Sequence, residues 1–172
     1  MIRSVALAVF LLVTACQRVA VDPPVQDESD LDTRGQVQRY VFGTTDGEEV
    51  SAESMRGRVT AMVFVTTFDL ASQLAAKQLN QALHTHRPRV NAAAVVLEAP
   101  KYAPLADVFR SSLQLSYPVA IADLPMLARN STLGEIHSVP TLIVFDPQGR
   151  EVLRHYGAFS NEELDGWLTR AR

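Results

Sequence analysis

Few side chains in this chain belong to the types that carry covalent or metal chemistry. The 172 residues include one cysteine, Cys16, and four histidines, His84, His86, His137 and His155. Cys16 lies at the end of an apolar N-terminal run, and the chain from residue 17 onward has no thiol. That part of the chain can therefore form neither a disulfide nor a cysteine-ligated zinc or iron–sulfur centre. Only histidine and carboxylate ligands remain for a metal, and we expect the protein to use no metal and no cofactor.

The first two histidines lie close together near the end of a predicted helix. His84 and His86 are two residues apart, which places them on different helix faces and is a poor spacing for chelation compared with a spacing of four. We predict that both are solvent-exposed and interact favourably with the helix dipole.

The other candidates, Asp69 and Ser72, lie where a strand runs into a helix. The apolar run at 59–66 does not alternate, which predicts a strand buried on both faces, and 70–86 is amphipathic with a helical period. Asp69 at the helix start is predicted to be an N-cap that accepts backbone N–H bonds. Ser72 in the first turn is alternatively a nucleophile for a nearby base, although no Gly-x-Ser-x-Gly elbow surrounds it.

The elements around this junction predict an α/β domain over residues 37–172, with a mixed central sheet flanked by helices. Alternation at 37–42, the Asp46-Gly47 turn and a short strand at 48–51 predict an N-terminal hairpin at the sheet edge. The later predicted elements are a strand at 91–97, a helix at 103–115 with Leu105, Val108, Phe109 and Leu113 buried, an extended stretch at 117–121, a short helix at 124–133, antiparallel strands at 141–145 and 151–156, and a helix opened by a capping box at Ser160.

Composition and charge narrow the function classes. The chain is 47% hydrophobic and 20% charged, with a formal net charge of −3, which is typical of one globular domain. There is no basic field to hold phosphates, so we expect no nucleic-acid partner.

The N-terminus has the layout of a secretory signal peptide over residues 1–15. Arg3 precedes an apolar run at 5–13 that is too short to span a bilayer as a helix. Residues 16–36 then contain a proline pair and several acids without apolar periodicity, which predicts an extended, mobile tether.

The end of the leader, Val13-Thr14-Ala15-Cys16, resembles the lipobox of bacterial lipoproteins. The resemblance implies that Cys16 is acylated, with fatty acids such as palmitate, and anchors the chain to a membrane. Gln17 is not the aspartate that retains many such proteins in the inner membrane, which implies the outer membrane. The alternative is an ordinary cleavable signal with a chance cysteine.

Residues 37–172 as a set resemble the envelope thioredoxin-like proteins of the TlpA and ResA type. The landmarks are Asp46-Gly47, Arg56-Gly57-Arg58 before the first central strand, Phe64 near the end of that strand, the run from Val139-Pro140 to Asp146, and Gly149. The resemblance implies a thioredoxin-like fold and a cis bond between Val139 and Pro140.

In that family the strand–helix junction carries a Cys-x-x-Cys pair, whereas here the four positions are Asp69, Leu70, Ala71 and Ser72. Phe68 stands where relatives have tryptophan. Thiol exchange requires a thiolate that attacks sulfur, and neither a carboxylate nor a hydroxyl can replace it. We therefore predict neither thiol–disulfide oxidoreductase nor peroxidase activity.

These observations predict a lipid-anchored, redox-inactive protein that binds a protein or peptide partner in the bacterial cell envelope, facing the periplasm. Phe68, Leu70, Val139 and Pro140 are predicted to form an apolar patch that, with the backbone at 138–141, captures an extended peptide. A purely structural Pro140 is the alternative for that residue. The alternative for the whole protein is a metal-binding or hydrolytic function that uses Asp69, Ser72 and His137, because His137 lies three residues before Pro140.

Overall fold

The computed structural model describes residues 35–172. The predictions for the leader 1–15, for the lipid on Cys16 and for nearly all of the tether fall outside these residues. Within the described part of the chain, no helix is both long enough and apolar enough to cross a membrane.

A five-stranded mixed sheet forms the centre of the domain. Seven strands are present in residues 35–172: β1 (Val41–Gly43), β2 (Glu49–Ser51), β3 (Val59–Val65), β4 (Val90–Val96), β5 (Val119–Ile121), β6 (Thr141–Phe145) and β7 (Glu151–Tyr156). The order in the main sheet is β5-β4-β3-β6-β7, in which β3 is parallel to β4 and antiparallel to β6. All seven residues of β3 are buried, as expected for a central strand with no alternation.

Helices cover both faces of this sheet. They are α1 (Ala52–Met55), α2 (Leu70–His86), α3 (Ala103–Ser112), which follows a short 3₁₀ turn at Pro100–Tyr102, α4 (Leu124–Leu127) and α5 (Asn161–Arg170). One core packs α2, α3 and α5 against the sheet, and the other packs the β1–β2 hairpin, α1 and α4 against the opposite face. The predicted α/β architecture and the predicted bounds of α2 are confirmed.

Three predicted elements differ from the structure. The β1–β2 hairpin is a separate two-stranded sheet that lies on the core, joined to the main sheet by the isolated bridge of Thr44 with Ala120 rather than by a continuous ladder. The helix predicted at 103–115 ends at Ser112 because Gln114 has a left-handed backbone, with φ of 53°. The helix predicted at 124–133 has only four residues, and Arg129 likewise has a positive φ of 59° soon after its end.

The prediction for the buried face of α3 is confirmed for Phe109, which is buried, and for Leu113, which is partly buried against the same core, and it is wrong for Leu105 and Val108. Ala106 and Phe109 are buried, whereas Leu105 and Val108 are exposed. A period of 3.6 residues is compatible with burial of Leu105 and Val108 or of Ala106 and Phe109. The larger side chains favour the first pair in the sequence, but in the structure α3 packs against the sheet through the small side chain of Ala106.

The prediction of two exposed helix-end histidines is correct for His84 and wrong for His86. His86 is buried where α5 packs against the end of α2, with Nε2 2.7 Å from Asp165 Oδ1 and Nδ1 2.6 Å from the Arg172 guanidinium. Because a guanidinium can only donate, Nδ1 accepts and Nε2 carries the hydrogen that it donates to Asp165.

A buried ion pair on β7 holds the segment that leads to Pro140. Arg154 donates from Nε and from a terminal nitrogen to both oxygens of Glu151, at 2.8 and 2.7 Å, and both side chains are fully buried. The same guanidinium donates to the Leu133 carbonyl at 2.5 Å. Burial lowers the pKa of Arg154, but the hydrogen bonds and charge of Glu151 outweigh it and raise that pKa above its ordinary value.

Candidate functional site

Asp69 is the N-cap of α2, as predicted from its position. Its Oδ2 accepts a 2.7 Å hydrogen bond from the Ser72 backbone N–H, and the Asp69 carbonyl accepts from the Gln73 N–H. Hydrogen bonding from the Ser72 side chain and backbone holds the pKa of Asp69 below its ordinary value. The carboxylate therefore has a structural role, which is to accept a backbone N–H that would otherwise be unpaired in the first turn of α2.

Ser72 is fully buried beneath the same turn. Its Oγ accepts a 3.3 Å hydrogen bond from the Thr66 N–H, which ties the end of β3 to the first turn of α2. A nucleophile must reach a substrate atom, and a hydroxyl enclosed in this way has no path to one. The burial of Ser72 therefore argues against the hydrolytic alternative.

The structure gives the metal alternative no ligand set in residues 35–172. His137 Nδ1 lies 3.6 Å from Glu135 Oε1 and its ring packs near Tyr156, whereas Asp69 bonds to its own helix start. Within that part of the chain, no group of three or more histidine, aspartate or glutamate side chains is placed to hold an ion.

The two apolar residues on either side of the cap point into solvent. Phe68 is 77% exposed and Leu70 is 78% exposed, although the junction between β3 and α2 is otherwise buried or bonded. The helix cap at Asp69 requires neither of them. Both residues belong to the predicted patch, and their exposure gives that patch an accessible apolar surface.

The other half of the predicted patch is less accessible. Val139 is half-buried and Pro140 is buried, and the peptide bond between them is cis. The Thr141 hydroxyl donates to the Ser138 carbonyl at 2.6 Å, and the Gly157 N–H donates to the Pro140 carbonyl at 2.8 Å. These two carbonyls are thus engaged within the chain, so the backbone at 138–141 offers a peptide fewer partners than predicted.

A cleft between the start of α2 and α3 was missed from the sequence. It has a volume of about 310 Å³ and an apolar lining to which Phe68, Leu105, Val108 and Leu113 contribute, with Thr67 and Gln73 among its polar members. Its signal in the sequence is Leu105 and Val108, which the helical pattern predicts to be buried but which are exposed. Phe68 therefore belongs to an apolar surface that continues onto α3.

Glu98, just after β4, supports the loop that forms one wall of this cleft. It is 7% exposed, and its Oε1 accepts from both the backbone N–H and the hydroxyl of Thr67, at 2.6 and 2.8 Å. Its Oε2 is buried without a hydrogen-bond partner in residues 35–172. The Gln73 side chain donates to the Thr67 carbonyl at 3.0 Å, so three donor–acceptor contacts fix Thr67 in place.

Comparison with solved structures shows that the fold is that of thioredoxin-like proteins. A thiol:disulfide interchange protein of the thioredoxin family from Chlorobium tepidum matches with a TM-score of 0.66 and 22% identity, over 80% of this chain and 96% of that one. A secreted disulfide oxidoreductase of Mycobacterium tuberculosis matches with a TM-score of 0.63 and 18% identity, over 76% and 95%. StoA from Bacillus subtilis gives 0.60 and 19%, over 77% and 97%.

No protein-family model and no curated protein sequence matches the chain. At the low identities of these structural matches, the likeness extends to the fold alone. The resemblance to a thioredoxin-like protein is thus confirmed for architecture. The chain differs from a disulfide oxidoreductase in having a single cysteine, located at residue 16.

Proposed function

We propose that this protein is a lipid-anchored, redox-inactive member of the TlpA and ResA type that binds a protein or peptide partner in the bacterial cell envelope. The observation that carries the proposal is the exposure of Phe68 and Leu70 at the position where the family keeps its cysteine pair. Contiguous apolar surface on a soluble domain is commonly an interaction site.

The local construction of the junction supports binding over residual chemistry. Ser72 and Glu98 accept hydrogen bonds from the Thr66 and Thr67 N–H groups, and Gln73 donates to the Thr67 carbonyl. These bonds fix the chain directly before Phe68, so the loop that displays it is pre-organised. A pre-organised surface loses little conformational entropy when it binds. The proposed docking loop therefore has a fixed shape and contains no sulfur nucleophile.

The proposed location in the cell rests on the sequence of the N-terminal segment. An acylated Cys16 would hold the domain at a membrane through the tether, and Gln17 favours the outer membrane over the inner one. Replacing Cys16 by Ser should abolish labelling by a fatty-acid analogue and release the protein from the membrane fraction. Label that persists in that variant would contradict the anchor.

Crosslinking in intact envelopes, with the anchor retained, tests partner binding. Phe68→Asp and Leu70→Asp should each reduce recovery of the crosslinked partner while the melting temperature changes by only a few degrees, because exposed side chains contribute little to the core. Leu124→Asp is the matched control, since Leu124 is 70% exposed on the opposite face, in α4.

The comparison with that control decides the result. If all three variants recover the partner as well as the parent does, the docking surface lies elsewhere. If Leu124→Asp loses as much recovery as Leu70→Asp, the loss is a general effect of the added charge. A specific loss at Phe68 and Leu70 supports the proposal.

A further inference from the structure

Five exposed arginines lie together at the end of the central sheet where β3 and β4 begin. They are Arg56, Arg58, Arg87, Arg89 and Arg150, and we call them the arginine cluster. Because β3 and β4 are parallel and their first residues pair, Arg58 and Arg89 directly precede neighbouring positions. The strand β7 begins at the same end, since it is antiparallel to β6, which is antiparallel to β3, so Arg150 lies there too.

Two further contacts place the other arginines. Arg56 lies beside the turn before β7, where a Cβ on Gly149 would be 3.8 Å from Arg56 Nε. Arg87 follows α2 and lines, together with Arg58, a cleft of about 270 Å³. Arg87 also donates to the carbonyl and the hydroxyl of Ser116, both at 3.0 Å, which holds its guanidinium against the domain.

None of these five arginines forms an ion pair within residues 35–172. The acids near this end are Glu53 on α1, Asp146, which accepts hydrogen bonds from two backbone N–H groups of its own turn, and Asp165, which is bonded to His86. The chain as a whole has 16 basic and 19 acidic residues, so its near-neutral balance conceals a local excess of positive charge.

The chain also enters the domain at this end. The Gly35 N–H donates to the Glu151 carbonyl at 3.2 Å, and Val37 forms an isolated bridge with Arg150. The predicted tether and the acylation site Cys16 precede this point in the sequence. An anchor at Cys16 would therefore bring the arginine cluster nearer to the membrane than any other end of the sheet.

We propose that the arginine cluster docks on anionic phospholipid headgroups of the membrane that holds the anchor. A guanidinium stays charged and donates paired hydrogen bonds to phosphate, and basic side chains are attracted to the negative surface potential of such a membrane. A lipid chain combined with a basic patch also holds a domain more stably than a single chain does. This inference rests on the proposed function, since it requires the anchor.

Docking in this way would orient the domain. The seven residues of β3 rise by about 3.3 Å each, so Phe68 and Leu70 lie about 20 Å from the arginine cluster, at the other end of that strand. The proposed docking loop then faces away from the membrane, where a partner polypeptide can reach it.

Full-length protein held by its anchor in lipid vesicles tests this orientation. Because Cys16 is the single cysteine and is acylated in the proposed form, Gln148→Cys introduces one free thiol for a fluorescent label beside the cluster. Quenching of that label by spin-labelled headgroups reports the ratio of docked to undocked domain. We expect this ratio to be at least about tenfold higher in vesicles with one third phosphatidylglycerol than in pure phosphatidylcholine. A label introduced through Lys101→Cys, beyond the other end of β4, should be unquenched in both.

Two double charge reversals, each made with Gln148→Cys, locate the contact. Arg58→Glu with Arg89→Glu should lower the docked ratio in phosphatidylglycerol vesicles at least about tenfold. Lys77→Glu with Lys101→Glu reverses two exposed lysines outside the cluster and should change the ratio less than about twofold. Raising the salt from about 0.1 M to about 1 M should release the parent, because the Debye length falls from about 10 Å to about 3 Å.

Equal quenching in the two kinds of vesicle, or equal quenching at positions 148 and 101, overturns the inference. A lysine pair as damaging as the arginine pair does so as well. If the arginine double variant does not fold, docking of the parent that survives high salt is the contrary result. Docking that appears only after the acids at 22–32 are replaced by their amides would mean that the tether covers the cluster instead, which also overturns the inference.

The two kinds of vesicle separate this inference from the proposed function. A protein that stays on phosphatidylcholine vesicles but does not respond to phosphatidylglycerol refutes this inference alone. A protein that leaves phosphatidylcholine vesicles refutes the lipid anchor of the proposed function.

Discussion

The two ends of α2 differ in what their side chains contact. At the end of the helix a polar residue, His86, is buried between Asp165 and Arg172. At its start, Phe68 and Leu70 are apolar and lie in solvent. Polar residues tend to be exposed and apolar ones buried, so both ends reverse the tendency. The reversal has a structural cause at one end, where α5 docks, and none in the described domain at the other.

In this helix, burial rather than residue type distinguishes a side chain that holds the fold together from one that is accessible to a partner. His86 has the chemistry of a catalytic or metal-binding group, yet both ring nitrogens bond within the protein. Phe68 has no chemistry of its own, yet it is accessible and borders a cleft. Variants at the two ends should therefore affect stability and binding in opposite proportions.

The largest expected effect on stability is at the end of α2. His86→Ala removes a buried ring and two hydrogen bonds, and we expect the free energy of unfolding to fall by about 2–3 kcal/mol. Urea denaturation followed by circular dichroism measures this change. His84→Ala is the matched control, because His84 is exposed two residues earlier, and it should change stability by less than about 0.5 kcal/mol. Similar losses in both variants would remove the contrast between the two histidines.

A smaller effect is expected at the cap. Asp69→Ala leaves the Ser72 N–H without its acceptor and should cost about 1 kcal/mol, the usual value for an N-cap. Because the pKa of Asp69 is lowered in the folded state, the charged carboxylate stabilises the fold above its ordinary pKa of 3.8, and this contribution is lost as pH falls through the lowered value.

The pH dependence of that loss provides the check. The difference in stability between the parent and Asp69→Asn, followed by thermal melts from pH 7 down to pH 3, should be constant at first and shrink at the acidic end. A difference that is equally large across the whole range would mean that the charge of Asp69 does not stabilise the helix start.

How far these features were visible in the sequence depends on whether they are local. The burial of β3 and the bounds of α2 follow from an apolar run and a capped amphipathic segment, and the Ser160 capping box forms as its side chains predict. Local patterns suffice where the signal lies within a few consecutive residues.

The errors concern packing between distant segments. His86 is buried because Asp165 and Arg172, about eighty residues later, cover it, and nothing near His86 in the chain encodes that contact. The α2–α3 cleft exists because α3 turns Ala106 and not Leu105 to the sheet, a choice made by the space available between helices. For the candidate site, the positions 68–72 were identifiable, whereas the Glu98 support and the α3 wall required the fold.

Introducing the cysteine pair of the thioredoxin-like proteins that this chain resembles tests whether the start of α2 corresponds to their active-site position. Asp69→Cys with Ser72→Cys should form a disulfide, since a pair three residues apart at a helix start suits disulfide geometry. Closing so short a loop adds about 2 kcal/mol, from which about 1 kcal/mol is lost with the cap, so the net change in stability is about 1 kcal/mol or less. Free-thiol titration before and after reduction measures the bond, with each single variant as control. A folded double variant that stays reduced in oxidised glutathione would mean that positions 69 and 72 do not correspond to the family pair.

The smallest effect on stability is expected where the effect on binding is largest. Phe68→Ser and Leu70→Ser remove exposed apolar side chains with no core contact to lose, so each should change the free energy of unfolding by no more than about 0.5 kcal/mol. Urea denaturation of the parent and the two variants measures this directly, and Val108→Ser extends the test to the α3 wall of the cleft. The loss in free energy of unfolding with His86→Ala, divided by the loss with Phe68→Ser or Leu70→Ser, then compares how much the two ends of α2 contribute to stability. A loss of 2 kcal/mol or more at Phe68 or Leu70 would mean that these side chains are covered in solution by another part of the chain, and the start of α2 would then be as structural as its end.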